Sequence, residues 1–505
     1  MMFKRLIIAV LIYSFSFAMP CNAEASLKEG SRKNVIFMIM DGTNSDVITL
    51  ARHYKGKPLA LDEILTGGVR TYSLRSAITD SAAAATAMAT GHKTTVDFIG
   101  MIPVKENRGR PVANVLEAAK EKGLATGIIA TAPIQHATPA AFSAHSNSRH
   151  QMKEIGVQQA HQNIDVMLGG GKKYAFIPDH ISTKTEMMNS NGLRLHGFFS
   201  EEDIAYEFDR RKLHPEQPSL AEMTKKALQT LAQNPNGFFL FIEGSKVDFA
   251  GHKNDPVGMV SEVLAFDEAV KEALQFAIKD QNTLLIAVAD HGNSGLTMGN
   301  RQTDQSYPET PPEHFTEPLK KASLTVTGAV SQLKRNKSNM KDVLESYGLD
   351  DLSQSQIERI KKAEDIEKAM VQLMAERAHL GFTTRGHSGE DVFLYSYGGK
   401  GVLHKPQGLI NNTELPEYVI KHLGLSPLSE LTKKRFVPAG DYYVQMGYNT
   451  KIKADKNKQA IFIAEKNGKI IQYPANRNVR IVNGKKETLK GITVYNGKDF
   501  WIPKP

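Results

Sequence analysis

Apolar residues along this chain are grouped in two ways, and the two periods predict its architecture. Short unbroken runs occur at Asn34–Met40 ("NVIFMIM"), Gly237–Ile242 ("GFFLFI") and Thr283–Ala289 ("TLLIAVA"). Runs of this length without a polar alternation suit strands buried on both faces, as in a parallel sheet covered by helices. Between them the apolar positions recur at helical spacing, over residues 112–122, 220–233 and 257–279. Strands alternating with amphipathic helices predict an α/β fold with a doubly wound, mostly parallel central sheet. Residues 301–380 are more charged, open with a Pro-rich loop and space Ile357, Ile360, Ile366, Met370 and Leu373 as on a helix. They read as a largely helical insertion. From Phe436 onward, strand-like runs are separated by Asn467-Gly468, Asn483-Gly484 and Asn496-Gly497, the strongest short hairpin signal. The expected organisation is a catalytic-type domain over 24–430 and a small β-rich module over 431–505. Truncation after Glu430 is then expected to spare the chemistry.

The first residues form a separate segment. A short basic start (Lys4, Arg5) precedes the apolar stretch Leu6–Met19, and Cys21-Asn22-Ala23 offers a small residue for cleavage. This is the pattern of a signal peptide over 1–23, too short for a membrane span, and it predicts an exported, periplasmic or secreted protein. Cleavage after Ala23 removes the only cysteine, so no disulfide is expected; Pro20 makes Cys21 a poor lipid acceptor. The remaining composition, 41% hydrophobic and 23% charged, is that of a globular protein. A net charge of +9, or +7 without Lys4 and Arg5, comes with no dense basic block interleaved with aromatics, so no nucleic-acid partner is expected.

Each apolar run ends in an acid: Asp41, Glu243, and Asp290 followed by His291. Ligands of open α/β sheets bind at the carboxyl ends of the strands, so these side chains are placed to converge. Asp248 and His252, four apart in "IEGSKVDFAGHKND", share a face if that segment is helical, which suits one metal. His387 sits in a Gly-flanked loop, "TTRGHSGEDV". In "AITDSAAAATAMATGHKT", Asp80-Ser81 heads an Ala-rich run. The pair reads as a helix cap, or as a serine nucleophile at a helix N-terminus, where free N–H groups favour an anion.

With those motifs in order, the chain resembles the alkaline phosphatase family over roughly residues 34–425. "TDSAAAATA" matches the nucleophile motif, "HATPAAFSAHSNSR" the Thr-Pro-Ala-Ala segment with its downstream Arg, and "DVMLGGGKKY" the triple-glycine loop. The resemblance implies hydrolysis of small-molecule phosphate monoesters through a phosphoserine on Ser81, two zinc ions, one magnesium ion and a homodimer. It places one zinc on Asp248, His252 and His387. The second lies on Asp41, Asp290 and His291 beside Ser81, and magnesium on Asp41, Thr138 and Glu243. Arg149 would grip the phosphate, Asp80 would orient Arg149 or Ser81, and Ser81 would serve as cap and nucleophile together. Some bacterial members carry Asp and Lys where this chain has His136 and Phe249, so His136 is expected behind the metal and the third ion's identity stays open. His92 and His145 match no ligand position. A sulfatase reading lacks its Cys/Ser-x-Pro-x-Arg context, and a phosphodiesterase would more usually carry Thr as nucleophile. A non-catalytic metal-binding surface protein, with the β module making surface or glycan contacts, is the distant alternative.

Overall fold

A computed structural model describes residues 32–105, 107–456 and 458–505; residues 1–23, expected to be a signal peptide, and with them Cys21, lie outside the described residues. Its centre is a nine-stranded sheet. In chain order the strands are β1 (Lys33–Met40), β2 (Leu65–Arg70), β3 (Ala125–Pro133), β4 (Val166–Gly170), β5 (Leu195–Phe198), β6 (Gly237–Gly244), β7 (Thr283–Val288), β8 (Val392–Gly398) and β9 (Gly408–Asn411). They lie side by side as β9-β2-β8-β7-β1-β6-β3-β4-β5. Only β8 runs antiparallel to its neighbours. The three strands expected from the apolar runs are therefore adjacent, with β1 between β6 and β7.

The reason for an unbroken apolar run is visible in β1. Ile36, Met38 and Met40 face one core cluster and Val35, Phe37 and Ile39 the other. A polar residue at either parity would lie buried. The first core is covered by the helix Pro256–Asp280 through Val260, Val263 and Phe266. In the second core Phe142 stacks on Phe241 at 4.2 Å between ring centroids. The insertion is helical as expected, with helices at Pro312–Lys320, Val326–Ser331, Met340–Ser346, Gln354–Lys361 and Ile366–Arg377.

At the C-terminal end a five-stranded antiparallel sheet runs from Asn449 to Thr488. Asn467-Gly468 and Asn483-Gly484 make its tight turns with positive φ at both residues (49° and 76°; 48° and 83°), the type I′ geometry that this pair favours. The region is not all β, since the helix Ala439–Gln445 packs Ala439 and Tyr443 under the sheet. Position 430 falls inside the helix Leu428–Arg435. Ile492, Val494 and Trp501 join the same core cluster as Leu431 and Val35, and residues 32–505 form one compact unit. Among the described residues no helix is long and apolar enough to cross a membrane.

Candidate active site

Four carboxylates meet at the carboxyl ends of the central strands. Asp41 follows β1, Glu243 is the penultimate residue of β6, and Asp290 follows β7. Asp248 comes from the helix Lys246–Lys253, which begins just after β6. Gly42 allows this closeness: it adopts φ +68°, and a Cβ there would lie 2.6 Å from the Asp248 Cα and Cβ. His291 follows Asp290 directly. His387 reaches the same place through a short antiparallel pairing of His387–Ser388 with Gly292–Asn293, which stacks the His387 and His291 rings at 3.7 Å.

The donors fall into three groups: Asp248, His291 and His387; Asp41, Asp290 and His291; and Asp41, His136 and Glu243. Within each, the ligand atoms lie no more than 4.8 Å apart. Asp41 Oδ1, Asp290 Oδ2 and both Glu243 oxygens are buried without a hydrogen bond. Burial, and then the neighbouring Asp290, Asp248 and Glu243, hold the Asp41 carboxyl well above the usual range. Burial pushes Glu243 up to about 7. Burial also acts to raise Asp248, but the neighbouring His252, His291 and His387 outweigh it and leave this carboxyl below its ordinary value. Buried carboxylates left so short of partners are what a divalent cation would satisfy.

The histidines are oriented for the same purpose. The Nδ1 of His387 is 2.8 Å from the Thr79 carbonyl, that of His252 2.8 Å from the Arg385 carbonyl, and that of His291 3.1 Å from the Gly292 carbonyl. A carbonyl only accepts, so each ring carries its proton on Nδ1 and offers the Nε2 lone pair inward. His252 Nε2 is 3.3 Å from Asp248 Oδ2, and its ring stands 5.2 Å from that of His387. It flanks the first donor group rather than sharing its tight cluster.

His136 is arranged the other way. Its Nε2 lies 3.3 Å from Arg149 Nη2, which only donates, so the proton belongs on the buried, unpartnered Nδ1. Burial, and then Arg149, push this ring down to about 3, so it is neutral at ordinary pH. It lies in the donor group of Asp41 and Glu243. Thr138 Oγ1 donates to Asp41 Oδ2 at 3.3 Å. Phe249 meets the His136 ring edge-on at 5.6 Å.

Ser81 begins the ten-residue helix α1 (Ser81–Thr90), all of it buried. Its Oγ is 3.1 Å from His291 Nε2. The cap is not Ser81, as expected from sequence, but Asp80: Asp80 Oδ1 accepts from Ala83 N at 2.9 Å, and Ser81 is the first helical residue. Asp80 Oδ2 accepts from Asp97 N at 2.9 Å and lies 3.3 Å from Arg149 Nη1. One carboxylate therefore both caps the serine helix and holds the arginine.

Sequence reading missed Asn293, whose Nδ2 donates to Asp248 Oδ1 at 2.6 Å and to the Asp248 carbonyl at 3.1 Å. Its only signal was a position three residues after Asp290. His145 and His92 stay out of the site: His145 Nδ1 bonds the Gly100 carbonyl and His92 Nδ1 the Thr90 carbonyl.

The alkaline phosphatase family model matches residues 32–195 and 178–425. The chain belongs to the alkaline phosphatase family. It is 34% identical over 471 residues to alkaline phosphatase 3 of Bacillus subtilis, covering 83% of this chain and 97% of that protein. With alkaline phosphatase 4 of the same organism it shares 36% identity, covering 77% and 88%. The crystal structure of Thermus thermophilus alkaline phosphatase superposes with a TM-score of 0.70 at 27% identity, covering 80% of this chain and 96% of that one. The protein is thus an enzyme, a phosphoric monoester hydrolase of a metal-dependent family, with donor groups fit for metal. Residues 426–505 lie beyond the family match.

Proposed function

We propose that this alkaline phosphatase hydrolyses phosphate monoesters by way of a phosphoserine on Ser81. The observation that carries the reading is the Ser81 Oγ at the N-terminus of α1, 3.1 Å from His291 Nε2 and on the same Asp80 hinge as Arg149. Two zinc ions would be held by Asp248, His252 and His387 and by Asp41, Asp290 and His291. Magnesium would be held by Asp41, Glu243 and Thr138, with His136 behind it. Bound there, the cations lower the pKa of hydroxyl and water ligands and neutralise phosphate oxygens. Arg149 presents two N–H groups as a fork to two non-bridging oxygens, and the α1 N-terminus adds its dipole. Ser81 Oγ then attacks phosphorus in line; the P–O bond to the alcohol breaks as the Oγ–P bond forms. Water attacks the phosphoserine from the vacated side, releasing inorganic phosphate and restoring the hydroxyl. The enzyme acts outside the cytoplasm after export, and as a homodimer.

Two in-line displacements predict net retention when an isotopically chiral phosphate is transferred to an acceptor alcohol. Ser81→Ala is expected to stay folded and metal-loaded while losing rate by at least about 10³-fold, since covalent catalysis is removed. Inversion, or a Ser81→Ala enzyme of near wild-type rate, would replace the phosphoserine by direct attack of water.

A further inference from the structure

The geometry points to a positioning role for the C-terminal part of the chain: Asn496 and Asn476 hold, from behind, the loop that carries Arg149. This rests on the reading above, in which Arg149 grips phosphate. Arg149 lies between the helices Ala137–Ala141 and Met152–His161. On its active-site side the loop is fixed by Arg149 N donating to the Asp97 carbonyl at 2.9 Å. A mutual pair of 2.9 Å bonds between Ser146 and Ile99 completes that side.

The other side is fixed across a sequence distance of more than three hundred residues. Asn147, two residues before Arg149, accepts from Gly109 N at 2.9 Å through Oδ1 and donates Nδ2 to the Asn496 carbonyl at 2.8 Å. Asn496 closes the ring by donating its own Nδ2 to the Gly109 carbonyl at 2.8 Å. The Asn496 side chain has no freedom to turn, because its Oδ1 accepts from Lys498 N and Asp499 N at 3.0 and 2.7 Å. A second tie runs through Gln158, which brackets His145 with one bond to its N–H and one to its carbonyl, both 2.8 Å. Gln158 Nε2 also donates to Asn476 Oδ1 at 3.1 Å.

Between these ties is a cavity of about 490 Å³, lined by Ser146, Asn147, Gln151, Asn476, Tyr495 and Asn496 among others. Beside this cavity the amide hydrogen bonds tie the loop to the C-terminal part of the chain. An arginine fork needs sub-ångström placement to meet two phosphate oxygens. Asn476 and Asn496, the far ends of these ties, stand outside the family-matched segment, which ends at 425.

The test is a double-mutant cycle in the full-length, metal-loaded enzyme, with inorganic phosphate as the probe. Asn496→Asp keeps the acceptor for residues 498 and 499 but sets a carboxylate oxygen against the Gly109 carbonyl. Asn147→Ala removes both links from the loop side and serves if the first variant folds poorly; a thermal melt checks each. Each variant is expected to raise the inhibition constant for phosphate roughly tenfold beside Arg149, and less than about twofold in an Arg149→Ala background, where there is no fork left to misplace. kcat/KM for 4-nitrophenyl phosphate should fall in parallel with the first of these changes. An equal effect in both backgrounds, or none in either, overturns the positioning role. If Arg149→Ala itself leaves phosphate inhibition unchanged, it is the reading of Arg149 that fails.

Discussion

Asp80 joins two tasks that can be separated by substitution. Asp80→Asn retains an oxygen for the Ala83 N–H, so α1 keeps its cap, but it sets an NH2 against the Asp97 N–H and Arg149, losing the 2.9 Å bond from Asp97 N and the charge facing Arg149 at 3.3 Å. It should lose about 1–2 kcal/mol for the bond to Asp97 N while KM rises; Asp80→Ala should lose about 1 kcal/mol more, the usual worth of a cap. Thermal melts and steady-state kinetics on both variants check this. A second buried carboxylate, Glu117, lies 3.3 Å from His145 Nε2 and 3.6 Å from Arg435 Nη1. Burial acts to raise it, yet the His145 ring, the Arg435 guanidinium and Gln162 bring it down to about 2 from an ordinary 4.5. A depressed acid stabilises the fold fully above 4.5 and loses that contribution as the pH falls through about 2. Glu117→Gln should therefore cost about 3 kcal/mol near neutrality by removing the buried charge between His145 and Arg435, which keeps only Glu121 at 3.4 Å, with the gap to wild type closing toward pH 2 in denaturant titrations.

Among the elements, strands flanked by two cores were legible in the sequence because the middle residues of β1, β6 and β7 must be apolar on both faces. The strands β2 ("LTGGVR") and β5 ("LHGF") were not, since short Gly-containing segments carry neither period. The acids at the strand ends were legible for the same topological reason. That His291 stands in two donor groups was not, because it depends on the pairing of Gly292–Asn293 with His387–Ser388 about ninety-five residues later. The C-terminal region shows the same boundary. Its Asn-Gly turns announce themselves locally, but the seat of Trp501 against the main core has no local signal. The dispensability expected of residues 431–505 does not follow from this packing. Trp501→Ala should cost about 3–5 kcal/mol, and a chain ending at 430 should be recovered unfolded or without phosphate affinity, as circular dichroism and phosphate inhibition would report.

For the whole molecule, four carboxylates at the meeting of five chain segments give metal a structural as well as a chemical part. Chelator should abolish activity and lower the melting temperature together, and His387→Ala, in a loop, should lose one metal by elemental analysis while the sheet stays intact; binding to the native state alone is what links the two. The place of β1 has a further consequence, for the time course of folding. The first strand of the described chain is the middle one of the sheet, in register with residues 237–244 on one side and 283–288 on the other. At ordinary synthesis rates its first partner follows roughly 10–40 s later. A topology so rich in distant pairings folds slowly, and throughout that wait an unpaired apolar strand is exposed. Refolding from denaturant should regain helix signal early and phosphatase activity last, with a yield that falls as the protein concentration rises.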